Sequence, residues 1–268
     1  MVKSLTGRNA LVTGSTAGVG LAVARVLAEA GANIILNGPP EKAGANGRAE
    51  ERRADLEQRF GVTVVYASAN LSQRRDIERM MRTARSELGD VDILVNCAHA
   101  HHDAPVEAVP DDAWEATLAI NCSAAFYTTK AALPGMRERD WGRIINIASA
   151  QGLAAVANQA AEVAAKHGLI GLTKAVGLET AEARNVTCNA ICPGYVKTAD
   201  MEREITEQAK EHGLTEEQVI RDVILANQPS RRFVGTDEIG AMVLYLCSDA
   251  ARSVNGSALS LDGGWTAR

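Results

Sequence analysis

Short apolar runs alternate with longer segments of helical pattern along almost the whole chain, and that rhythm leaves few folds open. Strand-length runs are expected at 9–13, 32–37, 62–67, 93–96, 143–148, 186–191 and 257–261. Helix-length segments lie between them, at 18–30, roughly 40–60, 73–88, 111–139, 159–183 and 236–248. Strict β–α alternation implies right-handed crossovers and a parallel sheet covered on both faces. The expected architecture is therefore a doubly wound α/β domain with seven parallel strands flanked by helices. One stretch breaks the rhythm: residues 198–228 are charged and helical in pattern (MEREITEQAKEHGLTEEQVIRDVI). There is no Ser/Gly linker, low-complexity tract or 20–50-residue repeat, so residues 1–268 are read as one domain with a small helical lid at about 198–228.

Composition narrows the function classes. A net charge of −5 argues against a nucleic-acid surface, which needs clustered Lys and Arg. No apolar run approaches the ~18–20 residues of a membrane span. The opening MVKSLTGRNALVTG lacks a signal-peptide layout, because a strand pattern begins almost at once. Cys97, Cys122, Cys188, Cys192 and Cys247 form no CxxC pair and sit mostly in apolar segments. They read as buried thiols in a reducing compartment, and the cytoplasm is the expected location.

The first strand runs into Val12-Thr13-Gly14-Ser15-Thr16-Ala17-Gly18-Val19-Gly20, which opens a helix. In that context one glycine permits the tight turn, one admits phosphates to the backbone, and one lets helix pack on sheet. The helix N-terminus adds free N–H groups and partial positive charge for a pyrophosphate. The turn therefore predicts a Rossmann-type nucleotide site.

The spacing Thr-Gly-x3-Gly-x-Gly resembles the short-chain dehydrogenase/reductase family, and the resemblance runs along nearly the whole chain. Asn96-Cys97-Ala98-His99 stands where that family has Asn-Asn-Ala-Gly. Asn121 matches its helix asparagine, Ser149 its serine and Lys166 the lysine of its Tyr-x3-Lys pair. Pro193-Gly194 and Thr198 match the loop that covers the nicotinamide. The stretches RIINIAS, AAKHGLIGLTK, GLETA, NVTCNAICPG and DGGW resemble the D-3-hydroxybutyrate dehydrogenases of the family. The resemblance implies cofactor contacts from Gly14, Thr16, Gly18, Val19, Gly20, Asn37, Asn70, Leu71, Asn96, Ala98, Lys166, Pro193, Gly194, Val196 and Thr198. It implies NAD rather than NADP: Leu36-Asn37-Gly38-Pro39 lacks the expected ribose-binding acid, but its Asn-Gly pair resembles the NAD-using hydroxybutyrate enzymes, and no Arg or Lys stands in the glycine turn to hold a 2′-phosphate. Asn70 occupies the place of an adenine-contacting Asp. A homotetramer follows from the same likeness.

The catalytic centre departs from the family. Sixteen residues separate Ser149 from Lys166, the family interval, so the tyrosine belongs four residues before the lysine; that position is Glu162. Reference pKa values are about 4.3 for Glu and about 10 for Tyr. An ion pair with Lys166 at i+4 is expected to hold Glu162 as carboxylate, which has no proton to give a ketone. The family glycine is His99, followed by Ala100, His101, His102 and Asp103, so three of five histidines fall beside the expected nicotinamide. By position, the residues facing substrate are His99, His101, Gln151, Gln159 and Tyr195. The family's carboxylate-holding lysine is absent, so a small 3-hydroxy acid is no longer the obvious substrate.

His99, His101 and Glu162 make a conceivable ligand set, but neighbours on one loop rarely converge and no HExxH helix supports them, so no metal is expected. Three functions stay open. In the leading one, the chain is an NAD(H)-binding oxidoreductase for a small polar hydroxy or oxo substrate, with Ser149, Glu162, Lys166 and Asn121 at its catalytic centre and His99 or His101 as proton carrier. In another, Glu162 abstracts a proton beside a carbonyl while Ser149 and Asn121 hold the oxyanion, as a lyase, dehydratase or isomerase. In the third, the chain is an inactive nucleotide-binding homologue.

Overall fold

The computed structural model describes residues 4–40, 47–183 and 185–267. Seven parallel strands form one sheet in the order β3-β2-β1-β4-β5-β6-β7. They are β1 (Asn9–Val12), β2 (Asn33–Leu36), β3 (Val64–Tyr66), β4 (Ile93–Asn96), β5 (Gly142–Ile147), β6 (Val186–Pro193) and β7 (Ala258–Leu261). The helices between them are α1 (Gly18–Glu29), α2 (Arg48–Phe60), α3 (Arg74–Leu88), α4 (Asp111–Leu118), α5 (Ala124–Glu138), α6 (Ala160–Thr180) and α9 (Thr236–Cys247). The charged stretch before α9 forms α7 (Ala199–His212) and α8 (Glu216–Gln218), the latter running into a π turn at Val219–Ile224.

The strands read as continuous apolar runs because both faces of the sheet are covered. Side chains alternate across a strand, and each parity has its own core. Ala10, Val12, Ile34, Leu36, Ile93, Val95, Ile145 and Ile147 pack with Val23 and Leu27 of α1 and Ile239, Val243 and Leu246 of α9. Leu11, Ile35, Leu94 and Ile144 point the other way, onto Ile77, Met80 and Ala84 of α3 and Leu133 and Met136 of α5. The helical stretch carries a separate small core of Ile205, Ala209, Val219, Ile224 and Leu225.

Two expected helices differ in the structure. The segment 40–60 begins its helix at Arg48, and residues 41–46 of that expectation lie outside the described residues. The segment 111–139 is not one helix: α4 and α5 are joined by a π turn at Ala119–Ser123. Apolar periodicity cannot register one extra residue in a turn, and such wide turns often mark functional positions. Asn121 sits in this one.

The order reverses between β1 and β4, where connections leave to opposite sides and a crevice opens at the carboxyl ends of the strands. Gly14 lies there with φ +63°, and a β-carbon on it would come within 2.8 Å of the Ala98 backbone. Gly61, with φ +65°, has open space around the equivalent direction. A left-handed backbone costs a non-glycine residue about 1–2 kcal/mol, and overpacking adds about 1–3 kcal/mol. Urea unfolding of Gly14→Ala should therefore show a loss of about 2–5 kcal/mol, against about 1 kcal/mol for Gly61→Ala; equal losses would mean that the Ala98 contact yields freely.

Candidate active site

The glycine turn is shaped to receive an anion. Ala17 and Gly18 are exposed at the start of α1, which has no side-chain cap and no acidic residue in its first turn. Gly18 has φ +53°, and the nearest atom to a β-carbon there is Thr198 Cγ2 at 3.8 Å. Gly20 has no such room, since its β-carbon would collide with the Gly14 carbonyl. The uncapped N–H groups of this first turn fit the pyrophosphate of a dinucleotide. Thr16 packs its side chain against Gly38, where a β-carbon would approach Thr16 Cγ2 to 2.9 Å.

Several residues assigned to the cofactor act first as scaffold. Asn37 is 1% exposed; its Oδ1 accepts from Gly14 N at 3.2 Å and its Nδ2 donates to Ala67 O at 3.1 Å. Its amide thus lashes the glycine turn to β2 and β3 and does not open on the crevice. Asn96 is likewise internal, accepting from Thr128 Oγ1 at 2.7 Å and donating to Asn146 Oδ1 at 2.8 Å. Asn70 caps its own loop, its Oδ1 accepting from Ser72 N at 3.1 Å and Ser72 Oγ at 2.9 Å. Leu71 is buried in the core beside α3. Ala98 is held at the crevice floor, where Thr13 Oγ1 accepts from Cys97 N at 2.9 Å and Ala98 N at 3.1 Å.

The π turn carries Asn121 inward to clamp the histidine loop. Its Oδ1 accepts from Ala100 N at 2.7 Å and its Nδ2 donates to Ala100 O at 2.9 Å. With Ala100 held, His99 is exposed on one side and His101 swings to α6. There His101 Nδ1 meets Glu162 Oε2 at 2.6 Å, and its Nε2 meets Asp103 Oδ2 at 3.0 Å. The imidazole is therefore strung between two carboxylates.

The charges follow from this chain. The hydrogen bonds to Asp103 and Glu162 raise the His101 pKa to about 10, against the opposing pull of burial. Burial pushes Glu162 upward, but the His101 hydrogen bond and the Lys166 charge carry it below its ordinary value. Burial and Lys166 push His99 below its ordinary value, opposed by Glu162, so that ring stays neutral at pH 7. The expected ion pair between Glu162 and Lys166 does not form within 4 Å; the direct partner is His101. Lys166, 4% exposed, instead donates from Nζ to Ile147 O at 3.0 Å. Burial lowers its pKa and Glu162 opposes the shift.

The remaining residues gather at the carboxyl ends of β5 and β6. Ser149 follows β5, and its Oγ accepts from Gln151 N at 3.1 Å. Gln151 and Gln159 each bury a side-chain oxygen without a partner. Tyr195 stacks on Trp265 at 5.3 Å, its hydroxyl pKa raised by burial and by Glu204, Asp103 and Glu162. Pro193 ends β6, Gly194 N donates to Leu261 O at 3.1 Å, Val196 bridges to Val234, and Thr198 caps α7 through Met201 N at 3.2 Å. Two contributors escaped sequence reasoning. Asp103 was visible beside the histidines, but its partner was not. Glu204, on α7, feels the charges of His101, Asp103 and Glu162, and burial raises its pKa; in sequence it was one acid in a charged run. Among the described residues, no three His, Cys, Asp or Glu side chains converge as a metal site.

A raised imidazole pKa has a signed consequence. His101 binds its proton more tightly folded than unfolded, so its contribution to stability is complete below about pH 6.5. It is lost as pH rises through about 10. A nuclear magnetic resonance titration should find His101 charged throughout pH 6–8, on the ordinary histidine scale of ~6.5. Asp103→Asn and Glu162→Gln should each bring its midpoint down; an unchanged midpoint would mean that the carboxylates do not set its charge.

Whole-sequence and whole-fold comparisons agree with the fold. A sequence profile described as enoyl-(acyl carrier protein) reductase matches residues 14–266. The D-beta-hydroxybutyrate dehydrogenase of Cupriavidus necator is 48% identical over 265 residues, covering 98% of this chain and all of that protein. The enzyme of that name from Rhizobium meliloti is 44% identical, covering 97% of this chain and 99% of its own. The L-sorbose reductase of Gluconobacter frateurii, solved with NADPH and L-sorbose, superposes with a TM-score of 0.91 at 28% identity, covering 99% of this chain and 98% of its own. With a profile spanning the glycine turn to the C-terminal segment and relatives matching end to end, this chain belongs to the short-chain dehydrogenase/reductase family of oxidoreductases.

Proposed function

We propose that the chain transfers hydride between NAD and a small polar hydroxy or oxo compound, with the Glu162–His101–Asp103 chain taking the proton role of a tyrosine. The observation that carries this reading is the 2.6 Å contact between Glu162 and His101, backed by Asp103. A tyrosine hydroxyl has a pKa of about 10, and the His101 imidazolium is held at about 10. The substitution thus keeps a proton of similar strength beside Lys166 while changing the atom that carries it.

When bound, a nicotinamide dinucleotide supplies the hydride acceptor or donor. The uncapped first turn of α1 would bind its phosphates, with Thr16 at the edge and Thr198 across the groove. NAD is favoured over NADP because the glycine turn carries no cation for a 2′-phosphate. Ser149 would orient the carbinol or carbonyl oxygen. In reduction the His101 Nδ1 proton passes to Glu162 Oε2 and on to the nascent alkoxide, leaving a neutral ring that solvent reprotonates. In oxidation the neutral ring takes the alcohol proton back through Glu162 and releases it to solvent. Asp103 keeps positive charge on the ring, and Asn121 holds the loop at the distance this transfer needs. The stretch formed by α7 and α8 is read as a lid over the groove. One domain, a homotetramer and a cytoplasmic location remain part of this proposal; exposed Phe126 and Leu178 on α5 and α6 favour assembly. No described helix is long and apolar enough to cross a membrane.

The test is absorbance at 340 nm with NAD⁺ and small secondary alcohols, alongside calorimetric titration of NAD⁺ and NADH. Positioned proton transfer contributes about 10²–10⁴-fold, so His101→Ala and Glu162→Gln should each lower kcat by about that factor with little change in NADH affinity. Product without net change at 340 nm would replace this reading with lyase or isomerase chemistry at Glu162. Failure to bind either cofactor form would remove the redox reading altogether.

A further inference from the structure

On the β6 side the groove is bordered by the turn that follows Pro193, and one buried amide holds that turn in place. Gln228, 0% exposed, lies where the chain returns from α8 toward α9. Its Oε1 accepts from Tyr195 N at 3.2 Å. Its Nε2 donates to the Arg232 carbonyl and, at 3.4 Å, to Ser230 Oγ. A peptide N–H stands on one side and a peptide carbonyl on the other, so the side chain must both accept and donate. An amide or a neutral acid does this; a carboxylate has nothing to donate. The fit is close. A β-carbon on Gly194 would run into Oε1, and one on Gly263 would come within 3.1 Å of Gln228 Cγ.

Three segments meet at this side chain: the turn after β6, the return from α8 and the turn after β7. Tyr195 O accepts from Val234 N at 2.8 Å, Gly194 N donates to Leu261 O at 3.1 Å, and Ser230 N donates to Gly263 O at 3.0 Å. The Gln228 N–H itself donates to Leu225 O at 3.1 Å, in the small core of the helical stretch on which Tyr195 also packs. From Tyr195 the turn runs on to Thr198, whose Cγ2 lies 3.8 Å from the place of a β-carbon on Gly18. It therefore overhangs the start of α1 from the side of β5 and β6, where Ser149 and Lys166 stand. A dinucleotide laid across the reversal of strand order has one half toward β2 and the other toward β5 and β6. The second half passes under this turn.

We infer that Gln228 is a positioning residue for the nicotinamide half of a bound dinucleotide, acting through the Gly194–Tyr195 peptide while buried outside the groove itself. The inference rests on the dinucleotide reading of the groove and adds to it the residue that sets the height of its β6 wall. Without the amide, Tyr195 N and the Arg232 carbonyl lose their partner in the interior, and the turn must move to find others. The adenosine side is held separately, by Asn37 on the glycine turn, and does not feel the change.

That asymmetry is what calorimetry on the full chain reads, with NAD⁺ and with ADP-ribose, which carries the adenosine and both phosphates without nicotinamide. Gln228→Leu should weaken NAD⁺ by about tenfold or more, the scale of a buried hydrogen-bonding group stripped of its partner, and ADP-ribose by less than about twofold. Gln228→Glu should behave like the leucine variant at about pH 9 and regain NAD⁺ affinity toward about pH 6, where burial favours the neutral acid that can donate to the Arg232 carbonyl. The unaltered protein at each pH is the reference. Equal weakening of both ligands makes Gln228 a stability residue only and overturns the inference, as does an unchanged NAD⁺ affinity in Gln228→Leu. Binding of neither ligand to the unaltered protein removes the dinucleotide reading, and this inference falls with it.

Discussion

Everything functional in this chain hangs on how closely two backbones approach at the reversal of strand order. β1 and β4 are neighbours whose connections leave in opposite directions, so the chain must turn sharply at both carboxyl ends. Gly14 and Ala98 nearly touch there, and Thr13 Oγ1 gathers the Cys97 and Ala98 N–H groups across the gap. That contact faces the α1 N-terminus into the crevice and sends the next residues, the histidines, along its rim. Asn37 locks the same turn to β2 from behind. A side chain at Gly14 would push the two loops apart and loosen both halves of the site at once.

The second constraint is electrostatic. A carboxylate on the inward face of α6 is costly unless a cation or donor meets it. Lys166, one turn on, is held by the Ile147 carbonyl, so the compensation comes from a different part of the chain: His101, steadied by Asp103 and by the Asn121 clamp on Ala100. Glu162 and the histidine loop thus form one structural arrangement.

Much of the fold was legible beforehand. Buried parallel strands leave unbroken apolar runs, and β–α alternation admits few topologies, so all seven strands fall within two residues of their expected ends. The glycine turn was legible for the same reason, since only glycine serves at Gly14 and Gly20. The π turn at Asn121 was not, because one extra residue barely disturbs a 3.6-residue period. The side-chain partners of Asn37 and Asn96 were not, because an amide beside a cofactor loop and an amide in a buried network look alike in sequence.

By itself, the sequence determined the doubly wound sheet and the glycine turn at the crevice where the strand order reverses. These depend on local pattern and spacing along the chain, which patterning and backbone sterics read directly. Only the tertiary structure decided which charge answers Glu162. His101 lies 61 residues away in the chain, and the i+4 neighbour that proximity favours is turned to a backbone carbonyl instead. Partner choice among charged side chains is set by three-dimensional distance and burial, and neither is encoded in the spacing of the residues concerned.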